Sequence, residues 1–183
     1  MQTNDKTKAI ITKTAELLSS ADGGTAITTR KIADNAGINP AMVNYYFGSK
    51  DELLKAAISE MNGGRPKDWH FDRDGSRKAM FDLLVRSCEE MIQYVGLGLS
   101  KDAAAFSKEV TEISSRLYDM KRSHDNKADG KDAVSVLKTV CFLLTLSMDP
   151  EGFAAYSGTD VRVKNQLRAL VSEQLDIILG DAL

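Results

Sequence analysis

The residues with chemistry to offer are concentrated in one stretch, Thr28 to Leu54, TTRKIADNAGINPAMVNYYFGSKDELL. Ala33 is small where two helix backbones can approach closely, and Gly37, just beyond it, can take the positive φ of a tight turn at little cost. Val43 is then placed to pack a second helix onto the first, which is the spacing of a helix-turn-helix. With Val43 facing inward, about 100° per residue puts Ala41 and Tyr45 on the outward face, with Met42 and Asn44 on its flanks. Pro, Ala, Met, Asn and Tyr make a face without any carboxylate. Such a face suits a helix pushed into a major groove, since a carboxylate there usually meets the repulsion of the phosphates.

The elements that must position this face read almost entirely as helix. From Lys6 to Ser20, Ile11, Ala15 and Leu18 share one helical face, ended by the turn Ala21-Asp22-Gly23-Gly24. A short helix over Thr29 to Asn35 is expected to bury Ile32, Ala33 and Ala36 and to stop at Gly37. Asn39-Pro40 predicts an N-cap and first helical residue, since Asn accepts from orphan amides and Pro has no N–H to leave unpaired. Ser49-Lys50-Asp51-Glu52 has capping-box spacing and opens a fourth helix carrying Leu53, Leu54, Ala57, Ile58 and Met61. Beyond the break Gly63-Gly64-Arg65-Pro66, longer helices are predicted over 77–95, 102–122, 132–148 and about 160–179, with a loop at 123–130 and a turn at Asp149-Pro150. The 132–148 segment is apolar on nearly every side and reads as buried all round. No period-2 run of β-branched residues and no repeat is present. The expected fold is all-α: three short helices in an N-terminal helix-turn-helix domain, then five or six longer ones in a C-terminal bundle. The division falls at residue 50, with the fourth helix, 50–62, as the link.

The composition agrees with a soluble globular protein: 183 residues, 43% apolar and 27% charged, with 3 prolines. No apolar run approaches the roughly 20 residues that span a bilayer, and the N-terminus shows no secretory h-region, so a cytoplasmic location is expected. Cys88 and Cys141 lie in apolar helical patterns, as buried thiols of a reducing compartment do. Net charge is −2, unevenly spread. Residues 1–50 set Lys6, Lys8, Lys13, Arg30, Lys31 and Lys50 against Asp5, Glu16, Asp22 and Asp34, while the remainder has an excess of acids. A mildly basic head on an acidic body fits an end that binds a polyanion.

The runs T-T-R-K-I-A-x-x-A-G and V-N-Y-Y-F-G-S-K-D-E-L-L resemble the DNA-binding domain of TetR-family transcriptional regulators over about residues 6–60. The resemblance implies a role for each matching position. Thr28 and Thr29 cap the second helix and donate to a phosphate, and Arg30 lies at the backbone or reaches a base edge. Pro40, Ala41 and Met42 sit nearest the bases, Tyr45 and Tyr46 contact sugar and phosphate, and Lys50 pairs with a phosphate. Asn44 stands where many members have Tyr, which removes one phosphate contact and offers adenine a bidentate reader at N6 and N7 instead. Phe47 fits the core better than the DNA, and Met42 suits either a base edge or packing.

The remainder resembles the effector-binding and dimerisation domain of that family in size and helicity. Candidates to line an effector pocket are Met61, Trp69, His70, Phe81, Cys88, Met91, Phe106 and Tyr118, each of which also has the spacing of an ordinary core residue. His70 and His124 stand apart from either cysteine and from each other, so no metal is expected, and no cofactor is implied. Neither a phosphate-binding loop nor a nucleophile with an evident base is present, which argues against an enzyme. The expectation is a homodimeric repressor, paired through helices 132–148 and 160–179, that binds a palindromic double-stranded operator and is released by a small molecule. The alternative is a DNA-binding dimer without a small effector, regulated by protein contact or organising the genome.

Overall fold

A computed structural model of the chain describes residues 2–20, 27–63, 76–99, 103–124 and 127–180. Among the described residues there are nine α-helices and no strand: α1 (Gln2–Ser20), α2 (Thr29–Ala36), α3 (Ala41–Phe47), α4 (Lys50–Met61), α5 (Ser76–Gly96), α6 (Ala103–His124), α7 (Gly130–Leu146), α8 (Pro150–Ser157) and α9 (Lys164–Leu179). They fall into two compact units, Met1–Lys67 and Asp68–Leu183.

In the first unit α4 packs along α1 and touches α3, burying Leu53, Leu54, Ala57 and Ile58 to 2% exposure or less. Against them α1 contributes Ile10 and Ala15, and its buried Thr14 satisfies its own hydroxyl by donating to the Ile10 carbonyl at 2.8 Å. α2 inserts Ile32 and Ala33 and is pinned to α1 through Asn35 Nδ2, which donates to the Lys13 carbonyl at 2.7 Å. The sequence pattern put the division at residue 50. Because the apolar face of α4 is buried against α1, the first unit instead runs through α4 to Lys67. α1 is also no short helix, at 19 residues.

The second unit closes around Met80, Leu84, Cys88, Leu117, Val140, Leu143, Leu144, Leu167 and Leu175. α6 packs along α7, and α9 packs on both α5 and α7. An ion pair from Arg77 to Asp176, and the Arg168 guanidinium 4.6 Å from the centre of the Phe81 ring, tie α5 to α9. Lys121 joins three helices: from α6 its ammonium reaches Asp132 Oδ1 on α7 at 2.8 Å and the Ile178 carbonyl in the last turn of α9 at 2.9 Å.

Three expectations for this unit need correction. Asp149-Pro150 is not a simple turn. The Asp149 carboxylate accepts from Gly152 N at 3.0 Å and Pro150 occupies the first turn, so the pair opens an additional helix, α8. α6 continues through His124, into the segment read as a loop. α7 is not buried all round: Val136, Val140, Leu143 and Leu144 enter the core, but Val134, Leu137, Phe142 and Met148 near its other face are exposed. A helix packed on neighbours from one side leaves its other side to solvent or to another chain, whatever its residues. No single described helix is long and apolar enough to cross a membrane.

Candidate nucleic-acid interface

The first unit builds its exposed face from three short helices whose ends are set by local hydrogen bonds. α2 begins at Thr28, whose extended backbone (φ −97°, ψ 155°) lets Oγ1 accept from Lys31 N at 3.2 Å. The hydroxyl hydrogen of Thr28 stays available to donate outward, and Thr29 and the exposed Arg30 follow within the first turn. α2 ends at Gly37 in the left-handed region (φ 66°, ψ 35°), while Ile38 N donates back to the Ala33 carbonyl at 3.0 Å. A Cβ on Gly37 would meet nothing within 4 Å, so glycine is required there by backbone angle alone.

α3 then starts as the sequence suggests. Asn39 Oδ1 accepts from Ala41 N at 2.9 Å and the Asn39 carbonyl from Met42 N at 2.8 Å, while Pro40 already has helical angles (φ −51°, ψ −33°). Val43 is fully buried and fixes the rotation of the helix. Ala41 and Asn44 are consequently exposed, Met42 is half-buried, and Tyr45 is 77% exposed. The Tyr46 ring packs edge-on to Tyr45 (centroids 5.1 Å apart) and to the half-buried Phe47 (6.4 Å), so the exposed phenol stands on a braced aromatic row. Gly48, at φ 76°, ends α3, and the Ser49 hydroxyl accepts from Glu52 N at 3.1 Å to start α4.

Lys50 lies at that start, its ammonium 3.8 Å from Asp51 Oδ1 with both side chains substantially exposed. Such a pair is worth little in water and yields readily to a stronger anion. All the residues singled out for DNA contact (Thr28, Thr29, Arg30, Pro40, Ala41, Met42, Asn44, Tyr45, Tyr46 and Lys50) therefore lie in α2, α3, the first turn of α4 and their joints, within one compact unit. No carboxylate occurs between Asp34 and Asp51. What the sequence did not announce is the Asn35 bond to Lys13, because a carboxamide at the end of a short helix has no spacing signature for a partner 22 residues away.

Of the residues singled out for an effector pocket, Phe81, Cys88, Phe106 and Tyr118 gather in or against one core of the second unit. Met61 belongs to the first unit, where it lines an open groove with Thr12, Ala15, Glu16, Ser19, Ser20 and Glu60. Cys88 and Met91 are packing residues in the second unit, with the Cys88 thiol 3.5 Å from the Leu143 carbonyl. Burial pushes that thiol up to about 12, against a smaller opposing effect of its hydrogen bond with Ser147. Phe81, Phe106 and Tyr118 pack at the margin of the same core, Tyr118 donating from its hydroxyl to the Asp129 carbonyl at 3.3 Å. Trp69 and His70 lie outside the described residues. Among the described residues no group of three His, Cys, Asp or Glu side chains is placed to hold a metal ion.

Residues 10–57, which contain this whole face, match the bacterial regulatory proteins of the tetR family. The chain is similar to the HTH-type transcriptional dual regulator CecR of Shigella flexneri, 36% identical over 89 residues that make up 43% of this chain and 40% of that protein. It is also similar to the HTH-type transcriptional regulator BetI of Rhizobium meliloti (strain 1021), 49% identical over 43 residues, 23% of this chain and 21% of that protein. The chain thus spans less than half the length of either relative. No solved structure matches it significantly.

Proposed function

On the match of residues 10–57 to the bacterial regulatory proteins of the tetR family, we propose that the chain is a ligand-responsive transcriptional repressor that binds a palindromic operator as a homodimer. The observation that carries the DNA-binding part is the face of α3. Val43 anchors the helix from behind while Ala41, Asn44 and Tyr45 stand exposed in front, free of carboxylates. Pro40, Ala41 and Met42 approach the bases from the start of this helix. Thr28, Thr29, Tyr45, Tyr46 and Lys50 hold the phosphates and sugars on either side, and Arg30 takes a phosphate or a base edge.

The second unit supplies pairing and response. Val134 and Leu137, exposed on α7, Met148 just beyond its end, and Ile177, 67% exposed on α9, are apolar groups that a second copy would cover. A two-fold dimer presents its recognition helices one DNA turn apart or a multiple of it. An effector acts by preferring the spacing of heads that does not fit the operator, with no further requirement. The packed positions of Cys88 and Met91 favour a second reading, a DNA-binding dimer without a small effector. A ligand screen by melting temperature separates the two, since an effector raises the melting temperature of the state that it binds.

The deciding experiment is fluorescence anisotropy of the full chain on duplex from upstream of its own gene, titrated with salt. The expected result is tight, sequence-selective binding whose log K falls by about 0.9 per neutralised phosphate for each unit of log salt. Equal and weak binding to scrambled duplex sinks the reading.

A further inference from the structure

The side chains on α3 restrict which bases they can read, an inference that rests on the DNA-binding reading above. In the major groove guanine is read chiefly by Arg or Lys at O6 and N7, and cytosine by a carboxylate accepting from N4. From Asn39 to Phe47 the chain has neither a cation nor a carboxylate. What it exposes there is a carboxamide, Asn44, between small and apolar groups, Ala41 and the half-buried Met42. A carboxamide matches N6 and N7 of adenine, and an apolar group matches the C5 methyl of thymine.

The other asparagines whose side chains are described in this unit hold the fold together. Asn35 Nδ2 is bonded to the Lys13 carbonyl, Asn39 Oδ1 caps α3 at Ala41 N, and Asn62 Nδ2 is bonded to the Ile58 carbonyl. Among the described residues Asn44 makes no side-chain bond; its backbone carbonyl accepts from Gly48 N at 2.9 Å. Both halves of its amide therefore remain for a base edge. We infer that α3 selects A·T pairs: Asn44 is the specificity-determining residue, reading an adenine, and Ala41 and Met42 meet thymine methyls. The competing guanine reader is Arg30, exposed on the first turn of α2.

The test is selection of duplexes by the immobilised full chain from a randomised library, followed by base analogues in the selected duplex. The expected core of each half-site consists of A·T pairs. Exchanging a contacted thymine for uracil, or a contacted adenine for 7-deazaadenine, should weaken binding several-fold, and 7-deazaguanine should change nothing. Asn44→Ala, and Asn44→Asp with the same shape but no amide donor, should each lose roughly ten-fold or more on the selected duplex and their preference at a single A·T pair. Both variants alter an exposed side chain, and unchanged melting curves establish that they fold. A core enriched in guanine, sensitive to 7-deazaguanine and erased by Arg30→Ala, would overturn the inference by placing the reading on α2. Retention of duplex without enrichment would also overturn it, while leaving DNA binding in place. Failure to retain any duplex would remove the DNA-binding reading and this inference together.

Discussion

The two units cap their helices with different chemistry. In the first, α2, α3 and α4 are started by Thr28, Asn39 and Ser49, all neutral. In the second, α7 and α8 are started by carboxylates, Asp129 and Asp149. Either kind satisfies orphan N–H groups, and a carboxylate also interacts favourably with the helix dipole, so stability alone gives no reason to avoid it. The proposed DNA-binding role supplies a reason from outside the chain: a fixed negative charge at the N-terminus of α2 would oppose a phosphate held there. The units also differ in what their helices do. α2 and α3 are short and punctuated, and hold an exposed face still. The helices α5, α6, α7 and α9 are long, and most of their apolar residues close a core.

The largest effects should come from the cores and should stay within their own units. Leu143 is fully buried in the second unit, and Leu143→Ala should cost about 2–5 kcal/mol there. Val43 is as buried in the first unit, but smaller, and Val43→Ala should cost about 2 kcal/mol and displace α3. Hydrogen exchange read peptide by peptide reports each unit separately. Leu143→Ala should accelerate exchange in α5–α9 and spare α1–α4, and Val43→Ala should do the reverse. If either variant opens both sets of helices equally, the chain unfolds as one cooperative block and the contrast between units loses its energetic meaning.

Exchanging the caps is the next test and the sharpest for the electrostatic argument. Thr28→Ala should cost about 1 kcal/mol of stability in the first unit. Thr28→Asp keeps an acceptor for Lys31 N and should preserve stability, yet lower DNA affinity by about ten-fold at low salt, because it sets a charge against the phosphates. The reciprocal change, Asp129→Ser, should leave DNA affinity as it is and alter stability by less than about 1 kcal/mol. Melting curves and anisotropy on the same samples give both quantities. Equal DNA affinity for Thr28→Asp and the parent chain would show that the neutral caps have nothing to do with the ligand.

How far the sequence could be read follows the same division. Gly37, Asn39-Pro40 and Ser49 act over one to three residues, so their consequences could be predicted locally, down to which side chains of α3 face outward. Asp149-Pro150 has the same cap chemistry as Asn39-Pro40 but reads as a turn in the sequence, since the PEGFAAYS that Asp149 caps has a glycine and no clear apolar stripe to announce α8. In the second unit apolar periodicity is the only signal. It is identical for a residue that lines a cavity and one that fills a core, so it does not separate the two for the buried Cys88 and Met91. The exposed face of α7 was hidden for a similar reason, because an apolar side chain does not state whether its cover comes from its own chain.

The smallest expected effect separates the two kinds of cap by their response to acid. In α7, Asp129 accepts from Lys131 N and Asp132 N, while Asp132 Oδ2 accepts from Asp129 N at 3.0 Å. The hydrogen bond from Lys121, followed by that from Asp129 N, holds the Asp132 carboxyl below the usual carboxylate range. A depressed carboxyl adds to stability in full above its unfolded value of about 3.9, and that contribution fades as pH falls through the lower folded value. Asp132→Asn should therefore melt slightly below the parent chain at neutral pH, and the difference should vanish in strong acid, where the parent carboxyl is protonated as well. Thr28 has no proton to gain, so the loss caused by Thr28→Ala should remain the same across that range. Melting curves of the three proteins at neutral pH and below pH 3 make the comparison. A deficit for Asp132→Asn that persists in acid would mean that Asp132 acts by shape and not by charge, and that the caps of the two units are closer in kind than their residues suggest.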